Sequence, residues 1–498
     1  MAGIQFELKK AFSRKGLFAL LSAYGYASVI CAGPTILGIV FLLGIRIVGT
    51  LAGASENDLR ILNAVVTYTL LASLLFINIF SVLVTRYTAD QIYKDDEDKV
   101  MPSFIGSISV ILAVGCPIYG IFLHFSGINL LTQIVTFLLF GELIIVWSEI
   151  NYLTAIKDYR SIMVAYLVSI LVAFGISFFL AVLFHILPTL ITLLISITVA
   201  YGIMAVWYFK LLMEYFPIGN CSALYFFKWM DKFPQLAPIG LLTSLGLFAH
   251  LVMMWYSSSG NVVVGLFREC PMYDISALVA FLSILPTTVN FVTSVEVNFY
   301  PTYRNFFSLL NDGGTLPNIE IAERDMENTL KQELSYTFMR QFFATIVFIV
   351  VGTLLLPILP LGFTDEMLGI YRVLCCAYAF YAVGNTVMLM QLYFADGKGA
   401  LYSSIVFAAG AILGTLAFGM RNSVWFGVGF LLGGVLYTIV SLVLLKRYLD
   451  NTLQNILGRS AIKVEEPHGP ATRIGDYFEK RYEEMYGIAP AEETVKEG

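Results

Sequence analysis

The chain is 498 residues long, 58% hydrophobic and 13% charged, with a mean hydropathy of +0.79. A water-soluble protein of this length needs far more charge to cover its surface, so the composition defines a polytopic membrane protein. A net charge of −5 spread along the chain gives no footprint for nucleic acid; Cys31, Cys116, Cys221, Cys270, Cys375 and Cys376 lack metal or redox spacing and read as small apolar residues.

In chain order, residues 1–15 place Ile4, Leu8 and Phe12 at four-residue spacing among Glu7, Lys9, Lys10 and Arg14, the pattern of a short amphipathic helix on the inner membrane surface. From Gly16 to Val48 no charge occurs until Arg46, a run longer than the ~20 residues a spanning helix needs and too long for a cleavable leader. Lys9, Lys10, Arg14 and Lys15 before it point its N-terminus inward. Gly33-Pro34 near its middle predicts a kink or break, either a tolerated membrane proline or a hinge. Further spans are predicted near 61–85, 102–126, 128–156, 161–186 and 188–213, with only His185-Ile-Leu-Pro188 dividing the last two. A second set falls near 236–257, 273–298, 339–362, 366–394, 400–420 and 423–445.

Twelve spans place both termini on one side, and the cations agree: 25 of the 30 Lys and Arg fall on the proposed inner side, with Arg46, Arg60, Arg268, Arg372 and Arg421 outside. The expected organisation is an all-α bundle, N-in and C-in. It has the amphipathic helix 1–15, a six-helix lobe over 16–215, a second over 216–447 with an inner loop at 299–338, and a cytoplasmic tail over 448–498. Within that loop, NDGG (Asn311 to Gly314) precedes a charged helical piece whose Ile319, Met326, Leu330 and Leu334 fit a helix resting on the membrane or the bundle. The tail carries helical charge patterning around Asp476–Tyr486 and a disordered end. Aromatic-basic runs after Val84 (TRYTADQIY) and Val297 (NFYPTYRNFF) echo each other, as a parallel repeat with a substrate path between its lobes would.

No nucleotide loop, metal set or catalytic constellation occurs, so neither an enzyme nor a cofactor is expected; His250 reads as a hydrogen-bonded interior residue. The informative residues are charges inside spans. Glu142 and Glu149 lie seven residues apart in the fourth span, on one helix face and ~10 Å apart along the axis. A mid-membrane carboxylate costs at least ~2.5 kcal/mol, so it faces a bundle interior or wet cavity, as part of a substrate path or proton coupling, or as a structural pair; Glu149, with Asn151 beyond it, can instead reach the inner interface. The eighth span carries Thr287, Asn290, Thr293, Ser294 and Glu296 just after Pro286, which is expected to bend the helix as a hinge; the polar stripe suits either a path or interhelical hydrogen bonding. Tyr24, Tyr26, Tyr378 and Tyr381 lie well inside spans, where phenol rings suit a glycan path or core packing. Arg86 and Tyr87, with Tyr303 and Arg304, mark the cytoplasmic mouth; Arg86 snorkels or pairs with an acid.

MAGIQFELKK (Met1–Lys10), AYGYASVICAGP (Ala23–Pro34) and VTRYTADQIY (Val84–Tyr93) resemble the PelG family of exopolysaccharide transporters, in the multidrug/oligosaccharidyl-lipid/polysaccharide (MOP) flippase superfamily. The resemblance covers about 1–447 and departs at Thr35, where an aromatic residue would be expected. It implies an inner-membrane transporter that exports a galactosamine-rich polysaccharide for biofilm matrix. A cytoplasmic glycosyltransferase (PelF) would make the polymer, and PelE and the cyclic-di-GMP receptor PelD would be the membrane partners. The nearest rival is a lipid-linked oligosaccharide flippase or cation-coupled multidrug exporter of the same superfamily; a membrane polymerase or acyltransferase would need a larger loop than the outer ones.

Overall fold

The computed structural model describes residues 36–156, 159–184, 187–219, 221–311, 313–359, 362–419, 422–455 and 468–486, and of Ala155, Ile156, Tyr159, Val292, Thr293 and Glu296 only the backbone. The amphipathic 1–15 segment, the first half of the first span and the end of the tail lie outside these residues. Among the described residues, eleven helices are long and apolar enough to cross a membrane, and Ile36–Leu51 (α1) forms a shorter apolar one. Their outer faces carry Ile118, Ile121, Phe343, Ile346 and Leu354, all exposed, as a lipid-facing surface requires.

The first half of the chain continues through α2 (Glu56–Tyr93), α3 (Val100–Phe125), α4 (Leu130–Ile156), α5 (Tyr159–Ser177, running on as a π turn over Phe178–Phe184) and α6 (Thr189–Tyr215). Ser55 caps α2 by accepting from the Asp58 amide, and Glu56 and Asp58 suit the positive end of its dipole. The 161–213 stretch divides where the sequence predicts, because Pro188 cannot continue a helix and sits as the cap of α6. Leu139, Phe140 and Leu143 of α4 and Leu193, Ala200 and Tyr208 of α6 form the centre of one hydrophobic cluster.

Residues 216–235, with the short α7 (Lys228–Lys232), lead into α8 (Leu236–Trp255). A two-stranded antiparallel hairpin follows, β1 (Asn261–Val264) and β2 (Phe267–Glu269), the one element type the hydropathy pattern did not announce. Gly265 turns it with φ +52°, and a Cβ there would sit 1.9 Å from the Ser126 carbonyl oxygen, so only glycine fits.

The eighth span is not one helix. It breaks into α9 (Pro271–Phe281), a 3₁₀ turn (Leu282–Ile284), α10 (Leu285–Thr293) and a π turn (Ser294–Phe299). Pro286 occupies the first turn of α10, where its missing N–H has no helical partner to lose, and the discontinuity falls just before it. Beyond it lie α11 (Tyr300–Asn311) and α12 (Leu316–Leu355). The charged piece of the 299–338 loop is thus continuous with the ninth span, one helix of 40 residues. Its Ile319, Met326 and Leu330 pack on Phe299 and Phe306, against the bundle.

The chain closes with α13 (Asp365–Tyr393), α14 (Gly397–Gly414), α15 (Val428–Leu449) and α16 (Pro470–Tyr486). Helices α14 and α15 cross through paired glycines: a Cβ on Gly429 would lie 2.2 Å from the Gly414 carbonyl carbon, and one on Gly433 would lie 2.5 Å from the Ala411 nitrogen. Such close backbone approach is how membrane helices associate without a hydrophobic driving force. A second hydrophobic cluster gathers α8, α13, α14 and α15 around Tyr371, Phe407, Phe430 and Tyr437, and Leu83 and Tyr87 of α2 belong to it.

Candidate functional site

The two acids of α4 both face α6. Glu149 is fully buried, and neither carboxylate oxygen has a hydrogen-bond partner among the described residues; Tyr208 of α6 lies within its electrostatic reach. Glu149 is therefore enclosed by the bundle. Glu142 is half-buried, its Oε2 buried without a partner among the described residues, and its Oε1 lies over Gly202 of α6, 3.1 Å from where a Cβ would be. The seven-residue spacing brings the two carboxyls to one helix contact. Leaving such groups unpaired costs free energy, so packing alone does not explain them. On either side of Glu149 in the sequence, Ser148, Asn151 and Tyr152 line a small cleft with Ser81 and Phe80 of α2 and Ser107 of α3.

The polar stripe of the eighth span meets partners on α12. Thr287 donates to Gln341, and Asn290 donates to Thr337 (2.9 Å) and accepts from Arg340. Ser294 (2.5 Å) and Asn298 (2.8 Å) donate to the Glu333 carboxylate. Asn290 thus takes part in an interhelical network whose α12 members Glu333, Thr337, Arg340 and Gln341 were not among the residues singled out from sequence. The backbones of Thr293 and Glu296 flank the start of the π turn.

Tyr378 and Tyr381 are buried in the second hydrophobic cluster. Tyr378 packs edge-on against Phe281 and Phe430, and Tyr381 stacks on Phe407 at 5.3 Å. His250 is interior and hydrogen-bonded, its Nδ1 2.7 Å from the Tyr273 hydroxyl and its ring on Phe430. Tyr24, Tyr26, Gly33 and Pro34 lie outside the described residues.

The seam between the two halves of the chain closes at three levels. At the end that the cation bias assigns outward, Arg60 of α2 pairs with Glu269 of β2 (2.6 Å), Tyr68 stacks on Trp255 (4.4 Å), and Leu266 donates to Ser126 O. Midway, Gly240 of α8 lies against the backbone of α2, where a Cβ would stand 2.0 Å from Asn78 O. At the inward-assigned end, Trp229 Nε1 donates to Asp90 (2.8 Å), Arg86 pairs with Asp90 (3.1 Å) and covers the Phe233 ring, and buried Tyr87 packs edge-on against Trp229. Tyr303 lies within electrostatic reach of Arg86 at this end. Burial pushes the Tyr303 hydroxyl up to about 12, with Arg86 close enough to pull the other way, while Arg304 is exposed.

This bundle of membrane-crossing helices, with its two halves in contact at both ends, has the fold of MOP superfamily transporters. It is similar to a MATE transporter solved in complex with MaL6 (TM-score 0.55, 14% identity, 86% of this chain and 97% of that one). It is also similar to a MOP superfamily transporter from Pyrococcus furiosus Vc1 (DSM3638) (0.52, 12%, 85% and 96%) and to the eukaryotic MATE transporter AtDTX14 (0.51, 12%, 92% and 99%). No curated protein matches. The chain belongs to the PelG family, described as "Putative exopolysaccharide Exporter (EPS-E)", whose model matches residues 1–456.

Proposed function

We propose that this protein carries a galactosamine-rich exopolysaccharide outward across the cytoplasmic membrane for biofilm matrix, without hydrolysing ATP itself. Two six-helix lobes, 16–215 and 216–447, would rock about their seam or part as the polymer lengthens. A PelF-like cytoplasmic glycosyltransferase would supply the chain, with PelD-like and PelE-like membrane partners, docking on inner loops 86–101, 214–235 and 299–338. The family match supports the cargo class. The observation that carries the mechanism is the seam, whose clasps at its two ends are built from separate residues, so that each can open alone.

Glu142, next to Gly202 and with a buried unpaired oxygen, is assigned to the path or its proton coupling, and Glu149 supports it from deeper in the same contact. Replacing Glu142→Gln should abolish most secreted polysaccharide while leaving the protein folded and inserted. Normal polymer from that variant would remove Glu142 from the mechanism. Unchanged polymer but raised drug sensitivity on deleting the gene would favour a multidrug exporter instead.

A further inference from the structure

The segment that joins the two halves, residues 216–235, is gripped from both sides. Toward the bundle, its Phe226 and Trp229 are buried with Leu83 and Tyr87 of α2, and Trp229 supplies the hydrogen bond to Asp90 that closes the inner end. On its other side lies α16, more than 240 residues later in the chain. Asp231 accepts from both the amide (2.6 Å) and the hydroxyl (2.7 Å) of Thr472, Lys228 pairs with Asp476 (2.8 Å), and the Ser222 amide donates to Glu479 (2.8 Å). Gly475 lies over the Leu224 carbonyl.

These contacts run from Ser222 to Asp231, and apart from Gly475, which also rests on the Lys228 and Phe227 side chains, they are hydrogen bonds and an ion pair. Water competes for each such bond, so its net contribution is only about 0.5–3 kcal/mol, and a grip made of a few of them can be released. The helix has its apolar residues elsewhere: Ile474, Tyr477, Phe478 and Met485 are exposed, so α16 is not held by burial of a greasy face. Beneath it, Cys221 is buried within electrostatic reach of Glu479, and burial pushes its thiol up to about 12. That cysteine is a native reporter of whether the helix is seated.

We propose that α16 is a strap on the transporter's inner gate: seated, it presses the joining segment onto the inner end of α2, and the gate opens only when it lets go. What it regulates rests on the transport reading above; that it holds the gate does not. The test uses the full chain in nanodiscs. In the double variant Asp231→Asn, Thr472→Val, Cys221 should react faster with N-ethylmaleimide, and amides of 85–93 and 225–232 should exchange hydrogen together, each roughly tenfold faster, the effect of losing one hydrogen bond to a charged group. Faster Cys221 labelling with unchanged exchange at 85–93 would overturn the proposal, since the strap would be off and the gate still shut. Lys228→Asp or Asp476→Lys alone should behave like the double variant, and the two together should restore slow exchange. A swap that stays fast would also overturn it. Changed exchange with unchanged polysaccharide secretion would instead count against the transport reading and leave the strap standing.

Discussion

Glu149 is buried and makes no hydrogen bond among the described residues, which is a poor use of a carboxyl if stability were its purpose. Replacing it by an apolar residue of similar length, Glu149→Met, should therefore raise thermal stability, by about 1–3 kcal/mol, while reducing export. A melting curve in detergent set beside secreted polymer checks this, and a lower melting point would show that the carboxyl is a stabilising partner after all. Its neighbour can be probed without removing a charge. Gly202→Ala would place a methyl 3.1 Å from Glu142 Oε1, tighter than most real contacts, and should give a partial export defect. Gly141→Ala, with nothing within 4 Å of its Cβ, should leave export unchanged.

Helix α15 meets α14 backbone to backbone, so Gly414→Leu or Gly429→Leu should force the pair apart and lower the yield of folded protein. Gly369→Ala, where the space is open, should not. Helix α16 answers to pH instead. Burial raises the Glu479 carboxyl above its ordinary range, while the Ser222 amide and Lys228 lower it and Glu483 adds to the rise. A raised value means the seated helix binds protons better than the free one, so seating strengthens as pH falls through that value toward the ordinary one and is weakest above it. Hydrogen exchange over 470–486, corrected for its intrinsic rate, should be slower at about pH 5 than at about pH 7.5. What could be read from sequence followed local rules. Pro188 and Pro286 marked helix breaks, and Ile319, Met326 and Leu330 marked a packed face. What could not be read was partnership at a distance. Asn290 gives no hint of Arg340 fifty residues on, nor Asp231 of Thr472, and the hairpin at 261–269 is too short to show a period.

At the scale of the molecule, the outer clasp makes the simplest test of rocking. Arg60→Cys with Glu269→Cys, joined by a reducible cross-linker, should stop export, and a reductant should restore it; continued export while joined would mean the outer end need not part. Both clasps and the mid-seam contact share one helix. Arg60, Asn78 and Asp90 all lie on α2, an uninterrupted rod of 38 residues, at about 27 Å and 18 Å on either side of Asn78. If Gly240 serves as the fulcrum, α2 is a see-saw with unequal arms: a tilt of about ten degrees swings the Arg60 end by ~5 Å and the Asp90 end by ~3 Å in the opposite sense. One stiff beam would then keep the two doors from standing open together, so that the membrane stays sealed to small ions.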